Sequence, residues 1–407
     1  MTAVPATLLA ISDPLFDDGL DTTVVLIVIG KTIAVFVLLL LSVLMYIWFL
    51  RKVIAKMQNR VGPDRAGPFG LLQSMADGIK LFFKEQSAPN TADKRIFFLA
   101  PYLALLPAFL AFSIVPIGGL VTIAGHETFL QLADLPFGIM WLLAMSGLGL
   151  YGVMLAGWSS GSKYPLLGSV RASAQLLSYE AAFSLAIVGV LVQSNTLSTR
   201  GIVAKQGWHG VESIFNGDWY WLPAIVALVI FVIAAVAETN HPPFDMTEAE
   251  QELTAGFMTE YTGIRFAIFY LAEFMNVITM CAIAVTLFFG GPNGPALGFL
   301  SANGWFNAWV MPVFWFMAKV LILLFGTVWL RASLPRLRYD QLMGFGWKYL
   351  IEIAFLWVMI SGVVVIAKEE SWNMFIVLPS AIVGALAIGG ILYSSIPRQS
   401  ELVEEIK

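Results

Sequence analysis

Long apolar runs divide the 407-residue chain into candidate membrane spans. Each run is long enough, as an α-helix, to cross the roughly 30 Å hydrocarbon core of a bilayer. The nine runs lie at residues 22–50, 96–118, 135–157, 173–194, 219–237, 264–290, 308–330, 349–367 and 374–394. The pattern predicts an all-α, polytopic integral membrane protein with about nine transmembrane helices. Pro101, Pro107 and Pro116 predict a kink in the second span, which neighbouring helices can tolerate.

Residues 69–85 show a different pattern, in which polar positions recur along one face. The segment follows a turn-rich stretch at 62–68. At helical spacing, one side would carry Leu71, Leu72, Met75, Ile79, Phe82 and Phe83, and the other Gln73, Asp77, Lys80 and Lys84. This pattern predicts an amphipathic helix in the membrane interface. Such a helix either only anchors its loop or forms a polar-edged lip where an amphiphilic ligand leaves the lipid.

The composition is typical of a membrane protein and argues against metal and iron–sulfur sites built by this chain. Hydrophobic residues make up 58% of the chain and charged residues 12%, whereas a soluble domain carries about 25% charged residues. The single cysteine, Cys281, cannot alone ligate an iron–sulfur cluster or a structural zinc ion. Three scattered histidines argue against a metal site built by this chain. No pattern suggests nucleic-acid binding, a nucleotide site or nucleophilic catalysis.

The distribution of basic residues predicts how the chain is oriented in the membrane. The segments that follow the first, third, fifth, seventh and ninth runs hold 17 Lys and Arg residues, against 3 on the other side. The positive-inside rule therefore places the N-terminus outside and the C-terminus in the cytoplasm of a bacterial-type plasma (inner) membrane. The absence of an internal repeat or a soluble segment predicts one membrane domain over residues 1–407.

A dense acidic stretch, residues 238–260, separates the fifth and sixth runs. It holds six carboxylates: Glu238, Asp245, Glu248, Glu250, Glu252 and Glu260. No Lys or Arg occurs between Lys205 and Arg265. Clustered carboxylates share protons, because several adjacent negative charges cannot all ionise cheaply. The stretch therefore predicts a proton-handling role.

Local helix chemistry offers a second interpretation of part of this stretch. Residues 247–250 fit a capping box, and acidic side chains suit a helix N-terminus. Glu248 and Glu252 would share a helix face that Asp245 extends. Capping explains one or two carboxylates, but it leaves the other acidic residues of the stretch unexplained.

Further ionisable residues lie inside the apolar runs. Glu180 lies in the fourth, Glu273 in the sixth and Lys319 near the middle of the seventh. Ionisable side chains within membrane spans are rare and mark ion or proton paths. We therefore interpret Glu180 and Glu273 as parts of a proton relay, and a lysine inside the bundle, such as Lys319, is also a usual part of one.

Motifs in four loops resemble one family. The first loop contains Gln58-Asn59-Arg60-Val61-Gly62-Pro63-Asp64-Arg65-Ala66-Gly67-Pro68 and Asp77-Gly78-Ile79-Lys80. The second contains Gly168-Ser169-Val170-Arg171 and Ser178-Tyr179-Glu180, the third Pro243-Phe244-Asp245 and Glu248-Ala249-Glu250, and the fourth Leu334-Pro335-Arg336-Leu337-Arg338. In this order they resemble the H subunit of proton-pumping NADH:quinone oxidoreductase, which is respiratory complex I. This membrane subunit forms part of the quinone tunnel in that family. The resemblance covers residues 24–367, a core of eight spans, and leaves residues 368–407 as an additional span with an acidic tail.

The resemblance implies two sets of site residues. A quinone cavity would be lined or bordered by Arg51, Arg60, Asp77, Gly78, Lys80 and Phe244. A path from that cavity to the antiporter-like subunits would comprise Glu180, Glu238, Glu248, Glu250, Glu252, Glu260 and Glu273, to which the charge pattern adds Asp245. The substrate would be ubiquinone or menaquinone.

The partners follow from the same resemblance. Electrons would come from a terminal iron–sulfur cluster in a soluble subunit at the quinone site, because this chain cannot hold a cluster. Small membrane subunits and the lipid bilayer would be its other neighbours. The alternatives are the homologous membrane subunit of a proton-pumping hydrogenase, an independent ion transporter and a purely structural anchor. Transporters often show internal repeats, which this sequence lacks, and the acidic stretch argues against a mere anchor.

Two positions depart from the family pattern. Leu50 precedes Arg51-Lys52 where the family has a glutamate, and His241 follows Asn240 where the family has an arginine. The second departure replaces a permanent cation with a titratable side chain. Both changes alter how charge is balanced near the expected quinone cavity.

Overall fold

A helix forms at every one of the nine predicted spans. The computed structural model describes residues 13–16, 19, 21–210, 212, 218–245, 255–295 and 305–395. Its helices are α1 Thr22–Met57, α2 Gln73–Phe83, α3 Lys94–Phe112, α4 Gly138–Ser159, α5 Lys163–Ser194, α6 Thr199–Lys205, α7 Ile225–Glu238, α8 Ile264–Phe288, α9 Trp305–Ser333, α10 Tyr339–Phe345, α11 Ile351–Glu369 and α12 Met374–Ser395. A π-helical turn, Gly346–Leu350, joins α10 to α11.

Most of these helices are membrane spans by length and composition. Within the described ranges, seven helices are apolar and long enough to cross a bilayer, with α10 and α11 counted as one. The fifth predicted span is shorter, because α7 has only 14 residues and rises roughly 21 Å at 1.5 Å per residue. The prediction of an all-α, polytopic membrane protein is confirmed.

Several boundaries differ from those predicted. Helix α3 contains Pro101 and Pro107 but ends at Phe112, before Pro116. Helix α7 begins at Ile225 rather than at residue 219, since the preceding residues form turns and the Trp221 amide donates to the Phe288 carbonyl. Hydrophobicity alone does not distinguish such buried turns from helix.

A short β-hairpin, which the sequence pattern did not indicate, follows α3. Strands β1 Leu120–Ile123 and β2 His126–Phe129 pair antiparallel. The two turn residues, Ala124 and Gly125, both have positive φ, as two-residue hairpin turns require. We call the end of the bundle that carries this hairpin the hairpin end, and the opposite end, which carries residues 51–95, the basic end.

Buried ion pairs hold the hairpin end together. Lys31 of α1 donates to Thr128 at 2.9 Å and lies 3.5 Å from Asp13. Arg200 lies 3.8 Å from Asp134. Burial raises the pKa of Asp134, and the nearby Arg200 guanidinium opposes that rise by stabilising the charged carboxylate.

The interior is built mainly on α5 and α8. The largest side chains that are fully buried on these helices and on α7 are aromatic: Tyr179, Phe183, Phe231, Phe274 and Phe288. By contrast, the apolar face of α2 is exposed, including Met75, Ile79, Phe82 and Phe83. An exposed apolar stripe of this kind is expected of a helix whose neighbour is lipid.

Candidate functional site

A cavity of about 70 Å³ lies inside the bundle between α4, α5, α7 and α8. Its polar lining consists of Ser146, Glu180, Glu238, Asn240, Glu273 and Asn276. Among the described residues, no Lys or Arg belongs to this lining. We call this cavity and its polar residues the acidic chamber. Gly149 of α4 helps keep it open, since a Cβ atom there would meet nothing within 4 Å.

Glu238 lines the chamber because α7 is short. The helix ends at this residue, so its carboxylate stays inside the bundle instead of reaching the basic end. Glu238 is 9% exposed, and its Oε1 accepts a hydrogen bond from Oγ of Ser146. Its Oε2 has no hydrogen-bond partner in the described part of the chain. The carboxylate is therefore held by one oxygen only.

The turn after α7 brings a histidine to the chamber's edge. Asn240 takes a positive φ of 55°, which asparagine tolerates better than most residues. His241 is buried, with Nδ1 2.8 Å from the Thr239 carbonyl oxygen and 3.3 Å from Oε1 of Glu273. The departure from the family pattern therefore lies in direct contact with one of the chamber's carboxylates.

One glutamine fixes both ends of this turn. Nε2 of Gln175, on α5, donates to the carbonyl oxygens of Ala237 and Phe244, each at 2.8 Å. Gln175 is fully buried. The segment from Glu238 to Phe244 therefore cannot shift at either end without breaking a buried hydrogen bond, and a buried polar group left unpaired costs about 1–3 kcal/mol.

The structure brings together three of the predicted path residues, Glu180, Glu238 and Glu273. Asp245 and Glu260 do not line the chamber. Glu248, Glu250 and Glu252 lie outside the described residues. Among the described residues, no group of three His, Cys, Asp or Glu side chains could hold a metal ion.

Glu260 lies in a turn that aromatic packing holds against α3. The ring of the next residue, Tyr261, stacks on that of Phe97 with centroids 4.1 Å apart, and its hydroxyl donates to the Phe97 carbonyl at 3.2 Å. Burial raises the pKa of Tyr261 to about 12. This tyrosine is therefore a structural contact and a neutral hydrogen-bond donor.

The predicted quinone-cavity residues fall into separate places. Arg51 of α1 binds Asp77 of α2, with Nη1 2.6 Å from Oδ2. Arg60 is exposed, and its Nε donates to Gln58 at 2.7 Å. Gly78 and Lys80 lie on the exposed part of α2. Phe244 is buried, with its ring centroid 5.4 Å from that of Tyr179.

Asp77 bonds to Arg51 and Gln73 rather than to its neighbour on the same helix, Lys80. Lys80 is three residues away, a spacing that would allow a pair across one turn, but Asp77 is held by Arg51 and by Nε2 of Gln73 at 3.1 Å. The Arg51 contact joins residues that are far apart in the chain. It ties α2 to the end of α1 and leaves Lys80 exposed.

Lys319 lies away from the acidic chamber. Its ammonium donates to the carbonyl oxygens of Phe289, Gly291 and Asn293 at 2.6–2.9 Å, at the hairpin end of α8. It also lies 4.2 Å from the centroid of the Trp219 ring. Three carbonyls satisfy all three ammonium donors. The structure therefore gives Lys319 a helix-capping environment rather than a place beside the relay carboxylates.

The sequence did not single out Ser146, Asn276 or Gln175. Each is an uncharged polar residue within an apolar run, and such residues also bond to their own helix or face neighbouring helices. The only signal in the sequence is the spacing of Asn276, which follows Glu273 by three residues and so shares its helix face.

The helices and the chamber define a multi-pass membrane protein with a group of ionisable side chains around a cavity between its helices. The family model described as NADH dehydrogenase matches residues 30–362. Two relatives, each named as the H subunit of NADH-quinone oxidoreductase, come from Frankia casuarinae and Frankia alni and are 52% and 50% identical over 361 and 360 residues. Each alignment covers 88% of this chain and 77% of the relative. The chain belongs to this family of NADH-quinone oxidoreductase H subunits, which confirms the resemblance of the loop motifs.

Proposed function

We propose that this chain forms the inner part of a quinone tunnel and couples quinone reduction to proton movement through the acidic chamber. The chain is a membrane subunit of NADH-quinone oxidoreductase, an enzyme complex whose substrate is a quinone and whose other subunits are its partners. The cavity residues, the proton path and the orientation are parts of the proposal.

The proposed coupling between quinone reduction and the acidic chamber rests on the two hydrogen bonds that Gln175 donates. They tie the carbonyl next to Glu238, in the chamber, to the carbonyl of Phe244, in the proposed quinone cavity. A change at Phe244 when quinone binds or is reduced therefore acts on a segment that also holds His241 and Glu238. Quinone reduction takes up two protons and two electrons, and a change in charge nearby alters the protonation of buried carboxylates.

Helix α2 supplies the proposed entrance. Its exposed apolar side chains fit the interface between lipid and water, while the Arg51–Asp77 pair forms a polar edge beside them. A quinone has a polar head and an apolar tail, so it needs both surfaces when it leaves the bilayer. Lys80, exposed on the same helix, would contact the head group.

The surroundings of the chain follow from the proposed orientation. The basic end would face the cytoplasm of a bacterial-type inner membrane and the soluble subunits that carry the quinone site and the terminal iron–sulfur cluster. Small membrane subunits would continue the proton path from Glu180 and Glu273. The quinone itself would be ubiquinone or menaquinone.

The Glu180→Gln variant, measured in the assembled complex, tests this function. Glutamine keeps the size of the side chain but cannot release a proton. We expect NADH-driven quinone reduction and proton pumping to fall together, about tenfold or more, while electron transfer to an artificial acceptor upstream stays unchanged. Glu127→Gln, an exposed change of the same kind on β2, is the control.

Wild-type turnover and pumping in an assembled Glu180→Gln complex would remove Glu180 from the path. The rival function, as a membrane component of a hydrogenase, predicts different partners. Purification of the chain from its native membrane distinguishes the two, because NADH-oxidising subunits support the proposal and a nickel–iron hydrogenase contradicts it.

A further inference from the structure

A second, smaller cavity adjoins the acidic chamber, about one helical turn nearer the hairpin end. Its volume is about 20 Å³, and Ser146, Glu238 and Asn276 line both spaces. Thr279, three residues after Asn276 on α8, lines only the smaller one. Because α8 runs toward the hairpin end, the second cavity extends the polar interior in that direction.

Glu238 lies between the two spaces with one oxygen unused. Ser146 donates to its Oε1, whereas no described residue hydrogen-bonds to Oε2. The residue is 9% exposed, so bulk water does not supply the missing partner. A buried carboxylate oxygen without a donor is costly, and the described residues leave this position for something else to fill.

The second cavity has the size and the polar groups that one water molecule needs. A buried water requires at least about 10–15 Å³ and two to four polar partners. The Asn276 amide forms no hydrogen bond with any described residue. Thr279 donates its hydroxyl to the Met275 carbonyl at 2.8 Å, which leaves its oxygen free to accept. The rest of the lining is apolar: Ala104, Pro107, Ala108, Ala111, Leu142, Met145 and Met280, with Gly149.

We propose that the second cavity holds a single water molecule, which donates to Oε2 of Glu238 and contacts Asn276 and Thr279. Glu238 then exchanges protons on two sides, with the acidic chamber and with this water, each exchange breaking one O–H bond as another forms. Ser146 is a positioning residue, because its hydrogen bond fixes Oε1 and leaves Oε2 for the water. The water site follows from geometry, while its part in pumping rests on the proposed function.

A density map of the assembled complex, at a resolution that shows ordered water, tests the site directly. We expect one density peak within hydrogen-bond distance of Glu238 and Thr279. The Thr279→Val variant, which keeps the shape of the side chain and removes the hydroxyl, should lose that peak. An empty cavity in the wild type would overturn the water site, and an unchanged peak in Thr279→Val would overturn the contact between the water and Thr279.

Proton pumping tests what the water does. In membrane vesicles, Thr279→Val should pump about tenfold more slowly than wild type, as expected for the loss of one hydrogen bond in a transfer step. Thr279→Ser, which restores the hydroxyl, should recover the rate. Equal losses in both variants would indicate a packing role and would contradict the proposal, as would wild-type pumping in Thr279→Val.

Two outcomes separate this inference from the proposed function. If Glu180→Gln pumps normally, the proposed path fails, yet the density map still decides whether water occupies the second cavity. If Glu180→Gln stops pumping and Thr279→Val does not, the path stands and the second cavity has no part in it. Co-purification of the soluble subunits with each variant confirms that the complex has assembled.

Discussion

Nδ1 of His241 lies 3.3 Å from Oε1 of Glu273, and both side chains are largely buried. The contact joins the turn after α7 to Glu273 of α8, at the edge of the acidic chamber. The same nitrogen lies 2.8 Å from the Thr239 carbonyl, so it carries a hydrogen in this arrangement. A charged imidazole would pair with Glu273, whereas a neutral one would only donate a hydrogen bond.

This contact predicts that His241→Arg lowers quinone reductase activity. The imidazole is buried and fits between the Thr239 carbonyl and the carboxylate of Glu273. Arginine is larger and carries a permanent charge, so it cannot keep both contacts in the same space. We expect slower quinone reduction in the assembled variant.

The measurement is the rate of quinone reduction by both assembled complexes at saturating quinone. His126→Arg, a change of the same kind on the hairpin, serves as the control. Equal rates in the wild type and in His241→Arg would show that the contact between His241 and Glu273 has no part in quinone reduction.

Lys80→Met should weaken quinone binding without disturbing the rest of the complex. Lys80 is exposed on α2 and, since Arg51 holds Asp77, its ammonium is available to a ligand. We expect a higher apparent KM for short-chain quinones, with electron transfer to artificial acceptors upstream unchanged. Lys84→Met, just after α2, is the matched control. An equal fall in both activities of Lys80→Met would indicate damaged assembly and would count against the entrance.

Lys319→Met should destabilise the complex but leave its turnover intact. The substitution leaves three carbonyls without their donor, and each unpaired buried polar group costs about 1–3 kcal/mol. We expect a lower thermal midpoint of the assembled complex, with quinone reduction per assembled complex near wild type. Lys368→Met, at an exposed position near the end of α11, controls for the lost charge. Loss of turnover with an unchanged thermal midpoint would contradict this structural role and would indicate that Lys319 takes part in the proton relay.

Truncation after Lys368 tests the additional C-terminal span. Helix α12 packs against α11, where Gly389 lies close to Leu356, and residues 368–407 carry none of the family's motifs. Small residues let helices approach closely, which fits a peripheral packing role. We expect weaker assembly at most, and unchanged quinone reduction in complexes that do assemble. Inactive but fully assembled truncated complexes would place this helix in the mechanism.

The sequence predicted what depends on local pattern. Apolar runs located the helices, because only a helix satisfies the backbone in lipid. Glu180 and Glu273 were recognised because ionisable side chains within a membrane span are costly and usually functional. The partners of Asp77 and Lys319 escaped prediction, since Arg51 and the carbonyls at the end of α8 are distant in the chain. Ser146 and Asn276 escaped because nothing local shows which cavity an uncharged polar side chain lines.

The shortness of α7 exposes the acidic chamber to the membrane potential. A helix of 14 residues that starts near the hairpin end leaves Glu238 roughly 10 Å below the basic end of a 30 Å core. A charge there experiences about a third of the transmembrane voltage, or roughly 0.7 kcal/mol at 100 mV. In the proposed orientation, a proton that reaches Glu238 from the cytoplasm moves against this field. The voltage that the complex builds would therefore oppose the loading of its own proton path.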